Sequence, residues 1–152
     1  MVMLALEDSA ASMAAPLDER YQALDLFQKS FQEGRWRRWM QRLSGRPVAL
    51  RCLRAVGRRG GRSLGHRTVP IAEIVGSEGR TRDFDRAFAP LSERSRDRWM
   101  SVAAARLRGH ALPSVMLVRA ADGYYVRDGH HRISVARALG EEFVEAEVVT
   151  WE

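Results

Sequence analysis

The run from Leu112 to Gly140, L-P-S-V-M-L-V-R-A-A-D-G-Y-Y-V-R-D-G-H-H-R-I-S-V-A-R-A-L-G, leaves a chain little conformational choice. Two short segments rich in apolar and aromatic residues flank Asp122-Gly123. That dipeptide suits a tight hairpin turn, because glycine tolerates the positive φ such turns require. The second segment runs into Gly129. Beyond it the apolar residues switch to helical spacing, which predicts a helix over His131–Leu139 closed by Gly140. A hairpin that feeds directly into a helix commits this part of the chain to mixed structure.

The neighbouring segments extend the pattern. R-T-V-P-I-A-E-I-V alternates and predicts a strand, followed by the polar loop G-S-E-G-R-T-R-D-F-D-R-A-F. Ser92 is placed to cap a helix with Trp99, Ala103 and Leu107 inward and Gly109 at its end. F-V-E-A-E-V-V-T predicts a last strand. Helices and strands in this order predict an α+β domain. Upstream, Asp18 can cap a helix whose packing stripe is Leu17, Tyr21, Leu24, Phe27 and Phe31. Gly34 interrupts it, and Trp36, Trp39, Met40 and Leu43 form a second stripe stopped by Gly45 and Pro47. The glycine-rich stretch G-R-R-G-G-R-S-L-G-H predicts a linker. The expected division is therefore 1–62, a helical and basic N-terminal extension with its Gly/Arg linker, and 63–152, a compact domain.

Charge is unevenly spread. Between Gly34 and Ala72 there are eleven arginines and no Asp or Glu, leaving 14 basic residues against 19 acids elsewhere. A basic stretch suits nucleic acid, an acidic membrane surface or an acidic protein, and of these DNA bound through Arg35–Arg67 is the expected macromolecular partner. Because 24 of the 25 basic residues are Arg, a coding bias explains the choice of Arg over Lys, though not the missing acids. No apolar run approaches the roughly 18 residues that span a bilayer, the N-terminus lacks the basic flank of a secretory signal, and Cys52 stands alone. These features predict a cytoplasmic protein with no membrane partner.

The turn D-G-H-H-R carries the chemistry. A helix N-terminus favours anions, and Gly129 lets a phosphate approach the backbone. Arg132 can grip phosphate oxygens, His130 and His131 can donate or carry protons, and Asp128 can accept a proton or hold Mg²⁺. The same residues also fit a plain helix cap with two histidines beside it. Two adjacent histidines on a helix point about 100° apart, so they do not form a metal pair by themselves.

From Thr68 to Trp151 the chain resembles the ParB/sulfiredoxin superfamily, and most of all small bacterial ParB-like proteins. The resemblance is carried by V-P-I-A-E-I, R-T-R-D-F-D, L-P-S-V-M-L-V and D-G-H-H-R-I-S-V-A-R-A-L-G, in that order. It implies a small mixed sheet with flanking helices. The ParB turn that binds CTP phosphates is G-E-R-R, of which Gly129 and Arg132 match. No helix-turn-helix follows the last predicted strand, so ParB-type centromere binding is not expected. The sulfiredoxin turn is G-C-H-R, and His130 stands where its reactive cysteine would be, which rules that chemistry out. The free-serine kinases of the superfamily carry D-G-H-T-R, matched by Asp128, Gly129, His130 and Arg132.

The resemblance implies Asp128 and His130 as catalytic residues, with Glu73 or Glu78 as the upstream glutamate. It implies Gly129, His130, His131, Arg132, Arg80 and Arg82 around a nucleoside di- or triphosphate, and Asp128 near Mg²⁺. The expected function is binding of a nucleotide or phosphorylated ligand, with ATP- or ADP-dependent phosphoryl transfer as the enzymatic form. A non-catalytic, nucleotide-sensing DNA-associated module is the alternative. A metal-dependent nuclease using Asp83 and Asp85 is the third.

Overall fold

The structure, a computed structural model, describes residues 2–53, 61–79 and 81–151, with side chains between Leu17 and Thr150. In chain order it contains helix α1 (Val2–Ser44), β1 (Arg51–Cys52), β2 (Gly61–Pro70), a 3-10 turn (Ile71–Glu73), β3 (Ile74–Ser77), a second 3-10 turn (Glu93–Ser95), α2 (Arg96–Leu107), β4 (Val115–Ala120), β5 (Gly123–Asp128), α3 (His130–Ala138) and β6 (Phe143–Trp151). The six strands form one mixed sheet in the order β1-β3-β5-β4-β6-β2. β1, β3 and β5 run parallel, β4 runs antiparallel to β5 and parallel to β6, and β2 closes the edge antiparallel to β6. The architecture is α+β.

The hairpin forms one residue earlier than expected: its turn is Ala121-Asp122, and Gly123, opposite Ala120, is already the first residue of β5. Along β6, Val144, Ala146 and Val148 turn toward the core while Phe143, Glu145 and Glu147 are exposed, the alternation of a half-buried strand. Trp99 of α2 is fully buried at the centre, donating its indole N–H to Ser134 Oγ of α3 at 2.8 Å. Phe27 of α1 meets the Trp99 ring edge-on at 5.5 Å. Ala23 and Phe27 thus share one hydrophobic cluster with the sheet. The Arg108–Glu19 ion pair adds a second link between α2 and α1.

Three further local expectations are corrected. The run R-T-V-P-I-A-E-I-V is two strands joined by a 3-10 turn, not one. Pro70 has no N–H to continue the ladder, and Ile71 N–H donates to Glu142 O instead. The described part of the glycine-rich stretch, from Gly61 to His66, is strand rather than linker, because β2 pairs with β6 from Gly61↔Trp151 onward; residues 57–60 lie outside the described residues. Gly34 does not interrupt α1. It is buried against the Pro90 carbonyl and Ala89 Cβ, 3.1 and 3.2 Å from where its own Cβ would lie. There a glycine allows close packing of the helix.

Candidate functional site

Because β3 and β5 are parallel, their C-terminal ends emerge together, with Ser77 level with Val126. Glu78, which follows β3, and Asp128, the last residue of β5, therefore flank the start of α3. Glu78 accepts both Nε and Nη2 of Arg127, at 2.7 and 3.0 Å. That hydrogen bonding holds the Arg127 guanidinium above its ordinary value, against the opposing effect of burial. Glu73 sits at the far end of β3, its carbonyl close to Gly123. Of the two upstream glutamates, Glu78 is the one at the turn.

Gly129 caps α3 with φ 102 and ψ 23, and Ile133 N–H donates back to its carbonyl at 3.0 Å. A Cβ there would lie 2.6 Å from Val115 Cγ1. Asp128 is exposed at the rim and accepts Arg132 Nη2 at 2.8 Å. Arg132 also donates Nη1 to the carbonyls of Pro113 and Ser114, at 2.5 and 2.9 Å. Its guanidinium is thus a strut between α3 and the entry to β4, with its charge held beside the turn.

The two histidines lie beneath the turn. His130 is 6% exposed, and its Nε2 lies 2.6 Å from Ser77 Oγ. The Phe84 ring stacks on His130 at 6.1 Å and meets His131 edge-on at 5.4 Å. Phe84 of the D-F-D motif is therefore the apolar floor on which both imidazoles rest. Asp85, the next residue, is 2% exposed and accepts the N–H groups of Ala87 and Ala89 and the Arg37 Nε. It ties the loop together rather than facing a metal. Among the described residues no group of three His, Cys, Asp or Glu side chains could hold a metal ion.

A cavity of about 470 Å³ opens in front of this turn, walled by Asp128, Gly129, His130, His131 and Arg132 together with Arg98 and Arg127. Five of the expected site residues are thus gathered on one wall. Arg82 is exposed but does not border the cavity, and Arg80 lies outside the described residues. Arg98, Arg127 and Ser77 were not expected. Arg98 comes from the first turn of α2 and Ser77 from the end of β3, so only tertiary structure brings them here.

A larger cavity, about 560 Å³, lies on the other side of α3 between Arg37, Ile71, Phe88 and Arg137. Its cations are engaged, Arg37 with Asp85 and Arg137 with the Ile71 carbonyl and the Phe88 ring, as Arg127 and Arg132 are at the first cavity. Burial pulls the Arg137 guanidinium below its ordinary value, with Asp85 opposing that effect and Arg37 adding to it. Glu33, Glu141 and Glu142 also line it, an arrangement that repels anions. The smaller cavity is the better candidate.

No family model matches the chain, and no curated protein matches it. Among solved structures the fold is similar to that of sulfiredoxin from Arabidopsis thaliana, over 55% of this chain and 82% of that one, at 16% identity and a TM-score of 0.41.

Proposed function

We propose that the cavity at the start of α3 binds a nucleotide or another phosphorylated small molecule. The observation that carries this reading is the convergence of Arg98, Arg127 and Arg132 on a helix N-terminus whose capping residue is a glycine at positive φ. Helix dipole and guanidinium charge act in the same direction there. In a phosphoryl-transfer reaction Asp128, exposed at the rim, would take the proton of an acceptor hydroxyl as that oxygen attacks phosphorus and the remaining phosphates leave. Mg²⁺ would enter with the phosphates and be held on the protein side by Asp128, where it would supply charge to offset that developing on the phosphates.

Calorimetric titration with nucleoside di- and triphosphates, with and without Mg²⁺, tests the reading. Arg98→Ala is expected to weaken binding about tenfold, the loss of one charge-assisted hydrogen bond. It should leave the melting temperature unchanged, since Arg98 is an exposed residue. Arg132→Ala is expected to weaken binding by about tenfold to a hundredfold and also to lower stability, because the Pro113 and Ser114 carbonyls lose their donor. Asp128→Asn should bind equally or more tightly while losing any turnover. A folded Arg98→Ala protein with undiminished affinity would count against the site.

A further inference from the structure

Helix α1 has two apolar faces, and only one of them is covered. At about 100° per residue, the buried Ala23, Phe27 and Gly34 lie along one line of the helix, against α2 and the Ala89–Pro90 loop. Arg37 adds an ion pair with Asp85 from the same side. This docking turns the opposite face outward. There Leu17, Tyr21, Trp36, Trp39, Met40 and Leu43 fall within an arc of about 140°. Among the described residues they are, with Phe143, the exposed large hydrophobic side chains. Trp36 and Trp39 are 62% and 53% exposed and lie against each other at 5.2 Å. Arg35, Arg38 and Arg42 run exposed along one flank of the stripe, in the stretch that contains no acid.

An occupant must offer an apolar layer and negative charge side by side. Duplex DNA supplies phosphates but no apolar surface for a stripe of Trp, Met and Leu. A second copy of the chain, meeting it face to face, would cover the apolar residues but bring the same acid-free stretch, with no carboxylate there to meet the arginines. The boundary between headgroups and acyl chains of an anionic bilayer supplies both parts: tryptophan settles at that depth, and arginine reaches outward to the lipid phosphates. We propose that the outer face of α1, centred on Trp36, Trp39 and Leu43, is a peripheral docking surface for anionic membranes. No helix among the described residues is long and apolar enough to cross a membrane, and lying in the interface needs no such helix. The expectation of no membrane partner rested on the lack of a spanning run, which does not bear on surface binding.

The test uses the full chain with phosphatidylcholine vesicles, with and without phosphatidylserine. Co-sedimentation gives the affinity, and the difference in emission between the parent and a Trp36→Phe/Trp39→Phe variant isolates these two tryptophans. Each arginine near an anionic surface contributes about fivefold, so three predict about a hundredfold preference for the phosphatidylserine vesicles. Binding should shift the difference emission to the blue. Both a Trp36→Ser/Trp39→Ser/Leu43→Ser variant and an Arg35→Gln/Arg38→Gln/Arg42→Gln variant should lose binding at least tenfold without a change in melting temperature. Equal affinity for the two vesicles would overturn the proposal. So would binding with no blue shift, a larger shift on duplex DNA than on vesicles, or a parent dimer in sedimentation whose formation needs Trp36 and Trp39.

Discussion

A Gly129→Ala chain is expected to lose about 2–5 kcal/mol of stability, the sum of left-handed backbone strain and overpacking. Gly129 combines φ 102 with a wall on its Cβ side: an added methyl would stand 2.6 Å from Val115 Cγ1 and 2.9 Å from Val115 Cβ. Val115 is buried at the start of β4 within the hydrophobic cluster, while Gly129 is fixed between β5 and the first turn of α3. Relief would require moving α3, which carries Ile133, Val135 and Ala136 in the core. Urea unfolding measures the loss. A change below about 0.5 kcal/mol, the scale of a neutral surface substitution, would mean that the turn is not held as described. The glycine at the turn is thus a folding constraint, set by the Val115 wall.

Asp85→Ala is expected to cost about 2–5 kcal/mol, chiefly two backbone amides left without an acceptor at about 1–3 kcal/mol each, since Arg37 stays part-exposed. The Asp85 side chain accepts Ala87 N–H at 2.8 Å, Ala89 N–H at 2.9 Å and Arg37 Nε at 2.8 Å. The loop it holds carries Phe88 at φ 57, a conformation a bulky side chain adopts only under constraint. The fully buried Phe84 and Phe88 rings depend on that loop. Alanine would leave the two amides without their acceptor, while Arg37 keeps Glu33 and solvent. Asp85→Asn keeps a side-chain oxygen for the amides but not the charge for Arg37, so it should fall between. The nuclease reading, with Asp85 as a metal ligand, makes a different forecast: alanine would abolish metal-dependent cleavage and leave the melting temperature nearly unchanged. Thermal melts of the two variants decide between these.

Local signals in the sequence were reliable where structure is decided locally. Asp122-Gly123 marked the hairpin and the spacing after Gly129 marked α3, each to within a residue, and the contiguous D-G-H-H-R placed five residues on one cavity wall. The failures share one cause, which is tertiary pairing. Gly61, Arg62 and Gly65 look like a linker until β6 supplies nine residues of ladder to pair with. Gly34 looks like a stop until Pro90 and Ala89 are brought against it. The stripe assigned to packing, Leu17 to Phe31, divides across the helix, with Phe27 buried and Leu17 and Tyr21 exposed. Arg98 and Arg127 carry no sequence mark that separates them from the chain's other arginines. Parallel pairing of β3 with β5 and the docking of α2 select them.

The central claim is that phosphate binds at the start of α3, and backbone amide NMR with a titrated nucleoside triphosphate locates binding most directly. The largest shifts are expected at the amides of Gly129, His130, His131 and Arg132, with side-chain changes at Arg98 and Arg127. Inorganic pyrophosphate should reproduce the pattern at the turn. Shifts concentrated instead around Ile71, Phe88 and Arg137, or none at millimolar nucleotide, would contradict it.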